Sequence, residues 1–306
     1  MNEENNFRVR IGIVLLNYQT WEDTLKVIDN LKLQEDVDLV FSVVDNNSPN
    51  NSYKFLKEYT ERSHDIDIIL TKSESNDGYA KGNNLGLKRL LEKKCQYVII
   101  MNNDVYIDNY YMLSNLAKLY PTLKSPGFIS PIQLTLNRQI YRDYYRIPSF
   151  IYDLASISWL TRKIRSFLWK NEVIKRRNSK FIPVEVFTGC FIFTDYSMFK
   201  SLEFFDEDTF LFGEERFWGT KLKLVGKQCY IIPSMTYIHA HSKTINTYVA
   251  TLRKWQFLND AQIKFTKKYR KFPKLKSFVL KISFEYTKFE LKIRDKLRLW
   301  LNRKNK

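Results

Sequence analysis

The chain has 306 residues, 44% hydrophobic and 15% aromatic, enough to bury a large core as one enlarged α/β domain or as a domain with a terminal extension. Its formal charge of +17 is uneven: between Lys264 and Lys306, 16 Lys and Arg face only Glu285, Glu290 and Asp295, a local charge of +13 beside a nearly balanced body. Three widely spaced cysteines without a CxxC pair exclude a disulfide frame, no apolar run is long enough to cross a bilayer, and the opening MNEENNFRVR lacks the apolar stretch of a signal peptide, so a cytosolic protein is expected.

In chain order, Val9 to Leu16 reads as a strand that stops at Asn17. Thr20 with Asp23 three residues on forms a capping-box pattern ahead of a helix with Trp21, Leu25, Ile28 and Leu31 on one face. Leu39 to Val44 is a second strand, ending at Asp45, and a short helix from Ser52 and a third strand, Ile66 to Leu70, complete a β-α-β-α-β alternation. The loop NDGYAKGNNLGL, Asn76 to Leu87, contains Gly78 and Gly82, which permit close backbone approach, and Lys81, Asn83 and Asn84, a cation and amides suited to an anionic ligand. Its spacing is not that of a P-loop. Tyr97 to Met101 then forms a buried strand that stops at Asn102, Asn103 and Asp104, with a second acid at Asp108. On a parallel sheet Asn17, Asp45 and Asp104 share one edge, where ligands of open α/β sheets gather. Asp45 there suits ribose hydroxyls or the imide of a pyrimidine base. Asp104 reads either as a ligand for a metal or phosphate-bearing substrate or as part of a polar turn closing a strand.

Beyond Ser114 a helix to Tyr120 and a strand at Phe128 to Pro131 continue the pattern. Leu160 to Lys180 holds eight Lys and Arg against Glu172, with Ile164, Phe167, Leu168 and Trp169 between them. It reads as a basic amphipathic helix, either a membrane or lipid-acceptor contact or a solvated helix packed on the domain. Val184 to Thr194 is a buried strand broken by Gly189; Glu214 and Glu215 open a helix whose face is Trp218, Leu222 and Val225, ended by Gly226. Taken alone, acids in a first helical turn offset the macrodipole. Cys229 onward is a strand followed by His239 and His241, which share a face if the segment is extended, a metal-ligand spacing. His64 sits in a charged turn as a solvated residue. From Lys264, apolar residues including Leu275, Val279, Ile282, Tyr286, Phe289, Ile293 and Trp300 recur at steps of three and four among the basic residues. That pattern predicts a long amphipathic helix that touches an anionic membrane surface. A nucleic-acid tail competes, but the apolar stripe has no role on a phosphate backbone and the body carries no nucleic-acid motif.

VVDNNSPNNS, NDGYAKGNNLGL, MNNDVYID and FDEDTFLFGEE, in this order, resemble the family-2 inverting glycosyltransferases of the GT-A fold, nearest the branch that builds bacterial capsule, O-antigen and cell-wall polysaccharides, with rhamnosyl- or galactofuranosyltransferase-like members. The resemblance spans Arg8 to Thr244. It implies an α/β, Rossmann-like mixed sheet flanked by helices over 1–250, with a nucleotide-binding half at about 8–108 and an acceptor half at about 109–250; the basic amphipathic helical extension read from charge and periodicity, 251–306, lies beyond it. It implies a donor that is a UDP- or dTDP-sugar, contacted by Asn17, Asp45, Asn76, Gly78, Lys81, Asn84 and Asn103. It implies Mn²⁺ or Mg²⁺ held by Asp104 with His239 or His241, and an acceptor saccharide, polyprenyl-diphosphate-linked, at the inner face of the cell membrane; a homodimer is compatible. Glu215 takes the place of the general base, beside Glu214. Two positions depart from the family pattern: Asn102 stands where the metal motif has its first Asp, and Phe217 where many members have a further Asp. These departures keep open a scaffold protein that binds nucleotide sugars without turnover.

Overall fold

In the computed structural model the described residues are 8–141, 144–158, 161, 164–167, 179–240 and 251–304. The first half alternates as the sequence predicts: β1 (Val9–Asn17), α1 (Trp21–Leu31), β2 (Val37–Asp45), α2 (Ser52–Arg62), β3 (Asp67–Lys72), α3 (Tyr79–Arg89) and β4 (Tyr97–Asn102). There follow β5 (Val105–Tyr106), α4 (Met112–Leu119), β6 (Pro126–Leu134), β7 (Tyr144–Tyr145), α5 (Phe150–Ile157), β8 (Ile182–Val184), β9 (Val186–Phe187), β10 (Phe191–Asp195), α6 (Tyr196–Ser201), α7 (Glu214–Leu224), β11 (Gln228–His239), α8 (Thr251–Tyr269) and α9 (Pro273–Lys304).

β1 to β4 are parallel and their register brings Asn17 opposite Asp45 and Leu16 opposite Asn102. The order along the sheet is β3-β2-β1-β4-β10-β6-β11-β5, with β8 on β11. β10 runs antiparallel to β4 and β6 runs parallel to β11, so the sheet is mixed. Alternation along β1 explains the layers: Ile11, Ile13 and Leu15 pack with α1 and α4, while Val14 faces the other core, which holds Leu87 of α3 and Trp218 of α7.

Several local expectations change. Thr20 makes no capping bond to α1; its hydroxyl oxygen instead accepts from Asn103 Nδ2 at 2.9 Å, because the loop after β4 crosses over the start of α1. Val225 lies beyond α7 and is 52% exposed, so that helix buries Phe217, Trp218 and Leu222 instead. The basic segment 160–180 lies mostly outside the described residues, and within it Ile164 and Phe167 are exposed.

The carboxyl-terminal region is two helices, divided at Phe272, whose φ of +55° is left-handed, with Pro273 at the first position of α9. α8 lies against the body: Phe217 of α7 meets Phe265 and Tyr269 edge to face at 5.4 and 6.1 Å between ring centroids. α9 buries Leu280 and Phe284 beside Ile157 of α5, and Thr287 donates its hydroxyl to the Ile157 carbonyl at 2.9 Å.

Candidate active site

The strand ends converge as the register requires. Asp45 is fully buried, and its oxygens accept from Asn17 Nδ2 at 2.8 Å, the Ser48 amide at 2.9 Å and the Ser48 hydroxyl at 2.7 Å. Asn17 in turn accepts from Thr24 at 3.0 Å, and Asn103 Nδ2 donates to Thr24 at 2.9 Å. Asn17, Asp45 and Asn103 are thereby one network that fixes the loops after β1, β2 and β4.

The NDG loop is held in the same manner. Asn46 Nδ2 donates to Asn76 Oδ1 at 2.9 Å, and Asn84 exchanges hydrogen bonds with the backbone of Phe205 at 3.0 and 2.9 Å. Gly78, at φ +92°, is so close to the acidic loop that a Cβ on it would stand 2.1 Å from the Phe210 carbonyl oxygen. Asn76 therefore ties the glycine loop to the loop after β2, while Gly78 and Asn84 clamp it to residues 205–210. Lys81 is half exposed beside Asp77 at 3.6 Å.

Asp104 and His239, remote in sequence, meet because His239 ends β11 opposite Val105 of β5 and the Ala240 amide donates to the Asp104 carbonyl at 3.0 Å. His239 Nε2 lies 3.1 Å from Asp104 Oδ1 and 3.5 Å from Asn102 Nδ2. On its other side, Nδ1 lies 3.0 Å from Gln133 Nε2 and 3.4 Å from Cys190 Sγ. Burial disfavours the charged imidazole, but Asp104 and Cys190 outweigh it and lift its pKa to about 10. His241 lies outside the described residues.

These side chains fit a divalent cation. Both Asp104 oxygens are buried, and neither accepts an aligned hydrogen bond despite the His239 contact. The protonated His239 ring is the charge partner of this carboxylate; a cation bound by Asp104 would take over that role, and the ring would ligate it only after giving up its proton. Among the described residues no cluster of three His, Cys, Asp or Glu forms an all-protein cage. A carboxylate, an imidazole and oxygens of a substrate phosphate make up the donor set that suits Mg²⁺ or Mn²⁺.

Glu214 and Glu215 open α7, with Gly213 at φ +85° before them. Burial first, and then the charge of Glu215, push the Glu214 carboxyl up to about 8. Burial also raises Glu215, opposed by its own backbone N–H, those of Gly189 and Gly213, and Arg216. Glu215 lines a cavity of about 520 Å³ together with Tyr141, Tyr145, Tyr152, Thr188 and Phe212 and with Trp255 and Gln262 of α8.

Thr188-Gly189-Cys190 joins the two centres. Cys190 Sγ touches His239, the Gly189 amide faces the Glu215 carboxyl, and Thr188 borders the cavity while its hydroxyl donates to Gln133 at 3.3 Å. The Tyr79 hydroxyl donates to the Gly189 carbonyl at 2.7 Å and holds the turn in place. Glu215 and the Asp104–His239 pair are thus separated by one short turn.

A model of "Glycosyl transferase family 2" matches residues 12–202. The chain belongs to this family. No curated protein sequence matches it. Among solved structures, the mannosyltransferase PcManGT from Pyrobaculum calidifontis, in complex with GDP-Man and Mn²⁺, is 16% identical, with a TM-score of 0.58 over 91% of this chain and 70% of that one. S. aureus TarS 1-349 in complex with UDP is 12% identical, with a TM-score of 0.54 over 89% and 70%. GalNAc-T7 with UDP, GalNAc and Mn²⁺ is 12% identical, with a TM-score of 0.57 over 83% and 48%. These likenesses show the shared GT-A fold: a mixed sheet flanked by helices.

Within this glycosyltransferase, Gln133 and the residues of α8 at the cavity were not expected from the sequence. Gln133 sits in an apolar strand without a motif, and α8 approaches only through tertiary packing. The ring of Phe217 makes the contact of α7 with Phe265 and Tyr269.

Proposed function

We propose that this glycosyltransferase moves a sugar, with inversion, from a nucleotide-diphosphate donor, a UDP- or dTDP-sugar, to a hydroxyl of a saccharide carried on a polyprenyl diphosphate. The setting is synthesis of a bacterial capsule, O-antigen or cell-wall polysaccharide at the inner face of the cell membrane. The observation that carries the reading is the turn Thr188 to Cys190, with the Asp104–His239 pair on one side and Glu215 in an aromatic-walled cavity on the other.

Asp104 and His239 are the residues that would hold Mn²⁺ or Mg²⁺; the ion neutralises charge on the leaving diphosphate when bound. Asn17, Asp45, Asn76, Gly78 and Asn84 shape the donor pocket through the loops they fix, and Lys81 and Asn103 border it. In the cavity, Glu215 accepts the proton of the incoming hydroxyl as its oxygen attacks the anomeric carbon. The bond to the diphosphate breaks on the opposite face, which inverts the centre. A carboxyl raised by burial is matched to that task near neutrality. Tyrosine and tryptophan rings offer apolar faces with polar edges to a saccharide.

The test is incubation with a panel of nucleotide sugars, Mn²⁺ and lipid-linked acceptors. Release of nucleoside diphosphate, with a product of inverted anomeric configuration, is expected. Release of pyrophosphate, or retained configuration, overturns the reaction, and donor binding without turnover on any acceptor returns the scaffold reading.

A further inference from the structure

α9 has two apolar faces, and the fold uses one. Ser277, Leu280, Phe284 and Thr287 are buried against α5 and its surroundings. On the opposite side Leu275, Phe278, Ile282, Tyr286, Phe289 and Ile293 recur at steps of three and four and are exposed, Leu275 at 64% and Phe278 and Phe289 at 60%. Scattered surface apolar residues need no explanation, but a continuous stripe of this size along one helix marks an interaction surface.

The charges beside the stripe decide its occupant. Lys274, Lys281 and Lys292 are exposed and follow one edge at helical spacing. None of the three makes an ion pair among the described residues. The nearest acid on that side, Glu285, is paired with Lys288 at 2.6 Å, and Glu290 is turned to the Ser158 hydroxyl at 2.8 Å. A second copy of this helix would set lysines against lysines, which opposes self-association. A leaflet containing anionic lipid satisfies both features, since acyl chains take the rings while headgroup phosphates meet the ammonium groups at the edge. Among the described residues no helix is long and apolar enough to cross a membrane.

We infer that the outward face of α9 is a bilayer-docking surface: the helix lies in the plane of an anionic leaflet, with Leu275, Phe278, Ile282, Tyr286, Phe289 and Ile293 immersed and Lys274, Lys281 and Lys292 at the headgroups. The inference deepens the proposed function and rests on it for its setting, a membrane that carries the acceptor. The buried face of α9 packs on α5, and Tyr152 of α5 lines the Glu215 cavity. Docking by α9 therefore holds that cavity close to the leaflet.

The experiment is vesicle flotation of the full chain with phosphatidylcholine alone and with phosphatidylcholine containing phosphatidylglycerol. Parallel measurements cover sedimentation of the free protein and hydrolysis or transfer from the donor in vesicle-free solution. The protein is expected to float only with the anionic vesicles and to be released by high salt. The double variant Phe278→Ser/Phe289→Ser and the triple variant Lys274→Glu/Lys281→Glu/Lys292→Glu should each lower partitioning by about tenfold or more, the loss in an exposed amphipathic anchor being cumulative. Because these side chains face outward, melting of both variants should match the parent.

Equal flotation of the parent and the serine variant overturns the assignment, as does absence of flotation with anionic vesicles. A parent dimer that the serine substitutions convert to monomer, with no vesicle binding by either protein, assigns the stripe to a second copy instead. Loss of flotation with donor chemistry intact separates this inference from the reaction: inactive protein that still floats sinks only the latter.

Discussion

Asp104 Oδ1 in the turn between β4 and β5 and His239 Nε2 at the end of β11 lie 3.1 Å apart, each largely withdrawn from water. This pair is the one the proposed function assigns to the cation. Asp104→Asn and His239→Ala should each weaken nucleoside diphosphate binding in the presence of Mn²⁺ by about tenfold or more, the scale seen when groups that tune a metal site are lost. Binding in EDTA should be unchanged by either substitution. Calorimetric titration with and without Mn²⁺ is the check, and equal affinities under both conditions for parent and variants remove the metal role.

The base assignment has a kinetic signature. Glu215→Gln keeps the size of the side chain but exchanges one accepting oxygen for a donor and cannot take up a proton, so kcat should fall by about 10²–10⁴ with donor binding retained. Burial raises the Glu215 carboxyl, which places the acid limb of the parent's kcat/KM profile above the ordinary carboxylate range, with rate rising as pH rises through it. The limb should vanish in Glu215→Gln. A variant with near-parental turnover assigns the base elsewhere.

Glu214 should report through stability. Its carboxyl stands near 8 when folded against an ordinary 4.5, so between those values the folded chain holds a proton that the unfolded chain releases. Stability then falls as pH rises, by up to about 1.4 kcal/mol per unit, with the contribution intact below the unfolded pKa. Glu214→Gln removes this slope. Its melting temperature should approach the parent's near pH 4.5 and exceed it near pH 8; parallel melting curves across that window exclude a raised carboxyl.

The residues differ in how much of this could be read from sequence. Buried parallel strands announce themselves as short apolar runs, so β1, β2 and β4 and the polar residues at or just beyond their ends, Asn17, Asp45 and Asp104, were legible. Parallel register then brings those ends to one edge without further information. What hydrogen bonds do across long separations was not: Asn84 reads as a donor ligand but is engaged with Phe205, and Thr20 reads as a cap but holds Asn103. Short polar side chains serve turns, caps and ligands equally well. The tail's period of three to four was visible, yet the same stripe pattern fits a buried or an exposed face, and only packing distinguishes Leu280 from Ile282.

Asp153 carries the last prediction. It is fully buried, and it receives Arg216 Nη1 at 3.0 and 2.8 Å, Arg270 Nη2 at 2.7 Å and Gln262 Nε2 at 3.2 Å. Side chains from α7, α8 and the residue just beyond α8 thus meet at the carboxylate of Asp153 on α5, and one of them, Arg216, is next to Glu215 in sequence. Removing a buried charge from such a set leaves two guanidinium groups without compensation, so Asp153→Ala should cost about 3–5 kcal/mol in denaturant unfolding. A volume-matched apolar set, Asp153→Leu with Arg216→Met and Arg270→Met, strands no charge and should recover most of that loss. The two variants should part again in catalysis. Arg216 favours the ionised form of Glu215, so the apolar set, though folded, should shift the acid limb of kcat/KM to higher pH. If it restores stability and leaves the pH profile at the parental position, the cluster serves only to join the helices.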